Sequence, residues 1–191
     1  MILRDETQGR ELLVEYGRRL LADGLVQGTW GNISVRLDDQ YMICTPSGLD
    51  YDRVGPEDMV LVDFHTLKYE GNRKPTSEKG LHAGIYDMRP EVGAVIHTHS
   101  KYCCIFAAAE MPLEVEDPEL ASVLGAGLKI ARYGLAGTKK LTRNTMAALG
   151  SSVGCIMAHH GMICCGDDLP DAYKKCGMIE QAAREYIDSR I

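Results

Sequence analysis

The chain has 191 residues, of which 45% are hydrophobic and 25% charged, with a net charge of −6. That is enough apolar matter for a real core, and the length suits one domain. No basic run or basic–aromatic interleaving occurs, which excludes the usual footprint of a nucleic-acid binder.

Seven cysteines, Cys44, Cys103, Cys104, Cys155, Cys164, Cys165 and Cys176, form an odd set without a C-x-x-C. This argues against a disulfide framework and against a cysteine zinc site, and it fits small buried hydrophobes in a reduced compartment. The first ten residues are charged and lack a signal-peptide core, and no apolar run reaches membrane-span length. The expectation is a soluble, cytoplasmic protein with no membrane partner.

Taken in order, residues Glu6 to Asp23 read as an amphipathic helix through Leu12, Leu13, Tyr16, Leu20 and Leu21, stopped by Gly24. Gly28-Thr-Trp-Gly-Asn32 then precedes an alternating strand, Ile33 to Arg36. Glycines there let backbone amides approach a ligand, although a Gly-Asn before a strand is also an ordinary turn. Asp38-Asp39 predicts a hairpin into a strand at Tyr41–Cys44. The loop Thr45-Pro-Ser-Gly48 is either a turn or an anion nest. Val60–Asp63 and Lys68–Glu70 read as two more strands joined near His65, which reads as exposed and idle.

Pro75-Thr-Ser-Glu78 opens a helix to about Met88, with Thr76 or Ser77 as N-cap and Glu78 in the first turn, where the helix dipole favours a carboxylate. His82 and Tyr86 share a helical face and read as packing. Beyond Pro90, the apolar stretch Val92 to Ser100 ends in His97-Thr-His99. On a strand, i and i+2 share a face, so both imidazoles aim at one point, as a divalent transition metal asks. A metal-free pair at a strand end has the same spacing.

Ser100 to about Glu110 reads as a helix, Met111–Pro118 as an acidic connector, and Glu119 to Ala131 as a short helix weakened by Gly125 and Gly127. Gly134–Gly137 is a loop, and Thr138 caps a helix ending at Gly150. Ser152 to Gly161 is a second apolar strand ending in histidines, continued by Met162–Gly166. Asp168 starts a final helix through Arg190, with Pro170 in its first turn.

His97, His99 and His160 with Glu78 make a three-histidine site with one carboxylate, a set that leaves a metal position open for substrate. His159 and His160 are neighbours on a strand and face opposite ways, so only one can ligate.

Five separated segments resemble the class II aldolase/adducin family, most closely its L-fuculose-1-phosphate aldolase branch: Gly28–Arg36, Thr45–Gly48, Pro75–Glu78, His97–Ser100 and His159–Gly161. The resemblance spans nearly the whole chain. It implies an α/β fold, a central mainly antiparallel sheet flanked by helices. It implies His97, His99 and His160 as ligands of one zinc ion (or another divalent transition metal), and Glu78 as the acid/base. It implies a phosphate pocket from Asn32, Ser47, Gly48, Thr76 and Ser77, and a cyclic homotetramer with active sites between subunits. The implied reaction is cleavage of a ketose 1-phosphate, such as L-fuculose 1-phosphate, to dihydroxyacetone phosphate and an aldehyde. Related 4-epimerases carry Asp where this chain has Glu78. A methylthioribulose-phosphate-type dehydratase shares the metal site, and a non-catalytic adducin-like module would not need the histidines.

Two departures stand out. The family's proton-donating Tyr is absent, since the matching segment reads Glu116-Asp117-Pro118-Glu119, and Tyr133 aligns elsewhere. The family's longer C-terminal tail is also missing after Ile191. Glu116 or Asp117 is the expected substitute donor.

Overall fold

The structure is a computed structural model, and it describes residues 5–190. The elements in order are α1 (Glu6–Ala22), β1 (Asn32–Arg36), β2 (Tyr41–Cys44), β3 (Val60–Asp63), α2 (Lys79–Met88), β4 (Ala94–Thr98), α3 (Lys101–Ala109), β5 (Leu113–Glu114), α4 (Pro118–Leu124), β6 (Gly127–Leu128), β7 (Ile130–Ala131), α5 (Lys139–Leu149), β8 (Gly154–Met157), β9 (Gly161–Gly166) and α6 (Leu169–Asp188).

Local chemistry sets most boundaries. Asp5 accepts hydrogen bonds from the amides of Thr7 and Gln8 and so caps α1, while Gly24, at φ +71°, releases the chain beyond its C-cap Asp23. Thr138 caps α5 and Asp168 caps α6, each through its side chain.

Seven strands form one sheet in the order β3-β2-β1-β4-β9-β8-β7. Every pairing is antiparallel except that of β7 with β8. This is the α/β architecture expected, with apolar side chains alternating between two faces. Ile33, Val35, Ala94 and Ile96 join the core under α1, α3 and α6. Val95, Met42, Cys155, Ile163 and Cys165 join a second core with the α2 residues Leu81, Ile85 and Tyr86. The second face also carries the polar half of β1, because Asn32, Ser34 and Arg36 all lie buried there. The register sets Asn32 opposite His97 and Ser34 opposite Val95.

Three expectations are corrected. The stretch 119–131 is not one helix: α4 stops at Leu124, Gly125 adopts φ +78°, and β6 and β7 follow. Residues 152–166 do not run as one strand. Met157 pairs with Gly161 across a tight turn, so β8 and β9 are a hairpin. Lys68–Glu70 forms no strand, and only Tyr69 makes a bridge, to Val62.

Candidate active site

Four elements converge on one point. β4 carries His97 and ends one residue before His99. The β8–β9 turn carries His160. Glu78 stands at the N-cap position of α2, and Asn32 begins β1. His97 Nε2 and His99 Nε2 lie 2.9 Å apart. The ring of His160 centres 4.7 Å from that of His97 and 5.0 Å from that of His99. The three offer ligand atoms within 4.8 Å of one another. Two nitrogens each about 2.0–2.1 Å from one tetrahedral zinc would stand about 3.3 Å apart, close to the observed spacing.

The tautomer of His97 follows from its other nitrogen. Nδ1 sits 2.8 Å from the carbonyl oxygen of Met162, which can only accept. The proton is therefore on Nδ1, and Nε2 points its lone pair at His99 and Glu78. This is the second contact that orients a metal-bound histidine. Burial pushes the His97 pKa down to about 4 against the opposing pull of the Glu78 carboxylate, with His160 and His99 adding to the fall, so the ring is neutral at pH 7. Burial also lowers His99, with His160 next in effect.

Glu78 faces the same point, with Oε2 3.2 Å from His97 Nε2 and Oε1 3.4 Å from His160 Nε2. Oε2 accepts from Asn32 Nδ2 at 2.9 Å, while Oε1 is buried without a hydrogen bond. Burial alone would raise this carboxyl. His97, His160 and the Asn32 amide together outweigh burial and hold its pKa below the usual carboxylate value. Lone pairs and a carboxylate converging in a buried space repel one another unless a cation sits among them. The donor set thus fits a metal ion.

Backbone devices hold these groups in place. Gly31 has φ +86°, and a Cβ there would stand 2.7 Å from the His97 carbonyl oxygen. A Cβ on Gly161 would collide with the Thr98 carbonyl and crowd the rings of His97 and His99, at 3.3 and 3.1 Å. Ser100 lacks a side-chain cap for α3, and Glu180 of α6 supplies one. It accepts from Ser100 Oγ, Tyr102 N and Cys103 N at 2.7, 2.7 and 3.0 Å. The chain is thereby pinned immediately after His99.

His159 is set apart from the cluster by the turn itself. It adopts φ +55° and pairs with Glu110 at 2.8 Å, away from His160. Its separation from His160 comes from the hairpin turn, and not from strand alternation. Glu78 is at the N-cap and makes no capping bond, so helix-dipole complementarity does not explain it. Thr76 Oγ accepts from Glu78 N at 3.2 Å. The loops proposed for phosphate lie together, since Ser47 N donates to the Lys74 carbonyl and Thr76 N to that of Thr45. Ser47, Gly48 and Ser77 are exposed along that seam, whereas Thr76 and Asn32 are buried.

Glu116 and Asp117 are committed elsewhere. Glu116 pairs with Arg190 at 2.6 Å, and Asp117 caps α4. His65 is not idle, because it pairs with Asp87 at 2.8 Å.

His82, Ser34 and Tyr86 were not anticipated as part of the site. His82 Nε2 lies 2.6 Å from Asn32 Oδ1, and its Nδ1 lies 2.7 Å from Ser34 Oγ. Ser34 Oγ lies 2.8 Å from the Tyr86 hydroxyl. The available signal was the helical stripe 78-82-86, which puts both residues on the face of Glu78.

A family model described as the class II aldolase and adducin N-terminal domain matches residues 11–187. A 5-methylthioribulose-1-phosphate/5-deoxyribulose-1-phosphate aldolase from Rhodospirillum rubrum is 37% identical over 177 residues, covering 93% of this chain and 79% of that protein. A 5-deoxy-D-ribulose 1-phosphate aldolase from Bacillus thuringiensis is 32% identical over 191 residues, covering all of this chain and 88% of its own. A solved structure of an L-fuculose 1-phosphate aldolase superposes with a TM-score of 0.91 at 30% identity, over 96% of this chain and 86% of that one.

Proposed function

The chain belongs to the class II aldolase and adducin family, as an enzyme of its aldolase branch, and from that premise we propose a zinc-dependent lyase. It cleaves a ketose 1-phosphate to dihydroxyacetone phosphate and an aldehyde. The observation that carries this reading is the convergence of His97, His99 and His160 on a buried carboxylate, with the His97 lone pair turned inward. An adducin-like assembly module has no use for that arrangement.

His97, His99 and His160 hold the metal in this reading. When bound, zinc supplies a Lewis acid that withdraws the negative charge building on the ketose carbonyl oxygen as the carbon–carbon bond breaks. Glu78 moves the proton at the adjacent carbon of the dihydroxyacetone phosphate half, returning it in cleavage and removing it in condensation. The seam of Ser47, Gly48, Thr76 and Ser77, with the second Nδ2 hydrogen of Asn32, cradles the phosphate and sets the register of the substrate. The two relatives that act on 5-deoxypentulose 1-phosphates favour a substrate of that kind beside L-fuculose 1-phosphate.

We also propose a homotetramer with the active site at subunit boundaries. Supporting it are the exposed apolar side chains Trp30, Ile105, Met111, Tyr133 and Leu135. A cytoplasmic setting is supported by seven free thiols. Among the described residues no helix is long and apolar enough to cross a membrane.

The test is metal analysis of the purified protein, followed by incubation with 5-deoxyribulose, 5-methylthioribulose and L-fuculose 1-phosphates. Release of dihydroxyacetone phosphate supports the proposal. A product of unchanged mass points instead to epimerisation, and one lighter by water to dehydration. Absence of zinc in the wild type removes the metal reading.

A further inference from the structure

Beneath Glu78 runs a buried chain of four polar side chains. Asn32, Ser34, His82 and Tyr86 are at most 7% exposed, and among the described residues their side chains hydrogen-bond to one another and to Glu78 along this path. Elementary donor and acceptor rules give the chain a direction. A carboxylate only accepts, so Asn32 turns its NH2 group to Glu78 and its Oδ1 to His82. Oδ1 also only accepts, so His82 carries its proton on Nε2. In a neutral ring Nδ1 then accepts, Ser34 donates to it, and Ser34 in turn accepts from the Tyr86 hydroxyl. Every bond in the sequence Tyr86, Ser34, His82, Asn32, Glu78 donates toward the carboxylate.

The opposite direction is unfavourable at one place. A proton on His82 Nδ1 would leave Nε2 as acceptor and would turn the Asn32 amide round. Its carbonyl would then face the Glu78 carboxylate, two acceptors in a buried space. Burial keeps the ring in the required neutral form by pushing the His82 pKa down to about 3. Tyr86 keeps its proton to donate because burial raises its phenol.

We propose that His82 is a positioning residue for the proton-moving carboxylate. Its Nε2–H tautomer, set by Ser34 and Tyr86, locks the Asn32 amide so that Oε2 of Glu78 is tied down and Oε1 stays free for the substrate. The inference rests on the reading of Glu78 as the group that moves the proton. The side chain nearest the chemistry is thus oriented through Asn32 by His82, Ser34 and Tyr86, three residues that touch neither metal nor substrate.

Nitrogen-15 NMR of the imidazoles at pH 7, in zinc-loaded wild-type protein, reads the tautomer directly. His82 is expected to show Nε2–H and a bare Nδ1. An Nδ1–H ring, or a doubly protonated one, overturns the proposal, and this holds even if none of the sugar phosphates is cleaved. Turnover supplies the second readout. His82→Leu should lower kcat about 30-fold with KM and zinc content within about twofold, the loss expected for a hydrogen bond serving a charged group. His82→Gln keeps an N–H toward Asn32 and a carbonyl toward Ser34, and should recover most of that loss. Equal losses in the two variants, or an unchanged kcat in His82→Leu, would also overturn it. If His82→Leu does not fold, Tyr86→Phe takes its place, with a smaller fall in kcat and the same constant KM. A kcat unchanged in that variant counts against the relay.

Discussion

Metal-free protein should lose stability between pH 7.5 and pH 5.5 because His82 and His97 are buried as neutral rings. Their pKa values fall to about 3 and about 4, against 6.5 in an unfolded chain. The sign follows from proton uptake. Below pH 6.5 the unfolded chain binds protons at both rings and the folded one does not. Stability is therefore full above 6.5 and declines as pH falls toward 4 and 3. At pH 5.5 each ring contributes a loss of about 1.4 kcal/mol, one decade below its unfolded pKa, or about 3 kcal/mol for the pair. For a chain of this size that lowers the melting temperature by about 6–12 °C. His65 has its pKa raised and so opposes the trend, but it is fully exposed to solvent and its effect is screened. Circular dichroism melts in EDTA at constant ionic strength measure the difference. His82→Gln removes one of the two rings and should roughly halve it. A melting temperature equal or higher at pH 5.5 would refute the burial argument.

Three further outcomes follow from the same geometry. Glu78→Gln should keep bound zinc, measured by plasma mass spectrometry, while kcat falls about 10²–10⁴-fold, the range for a lost general acid/base. Gly161→Ala should lose zinc although no ligand is removed, since the added methyl collides with the Thr98 carbonyl and crowds both rings of His97 and His99; zinc content equal to wild type would count against that fit. Glu180→Ala should cost about 1–3 kcal/mol in chemical denaturation, because it strips a half-buried charged cap from the amides of Tyr102 and Cys103. It should also weaken zinc binding through His99, whereas a distant surface change such as Glu185→Ala should do neither.

The regular elements were legible where periodicity and caps coincide. α1, α5 and α6 each combine an apolar stripe with an Asp or Thr cap, and the structure begins each within a residue of that signal. The misreadings share a cause. β6 and β7 are two residues each, too short for any period to show, and they exist because β5 and β8 lie beside them. The turn between β8 and β9 uses Ala158-His159-His160, without the Gly or Asn that usually marks a hairpin. His159 takes the left-handed conformation without glycine, so the apolar run reads straight through it.

The histidines were legible for the opposite reason. The His97–His99 spacing encodes a shared direction in two residues, with no need of the rest of the fold. Glu78 was singled out through the family resemblance, and the plainer alternative, helix-dipole complementarity, fails because it makes no capping bond. Its carboxylate is placed by Asn32, and Asn32 by His82, across 46 and 50 residues of chain. Such a link depends on register, and no local pattern states which residue of β1 lies opposite His97. A slip of one residue between β1 and β4 would turn Asn32 and Ser34 to the face of α1 and leave His82 among apolar side chains. Every segment shared with the family would still be present in such a chain. His97 and His99 would keep their spacing, and Glu78 would have lost the Asn32 hydrogen bond.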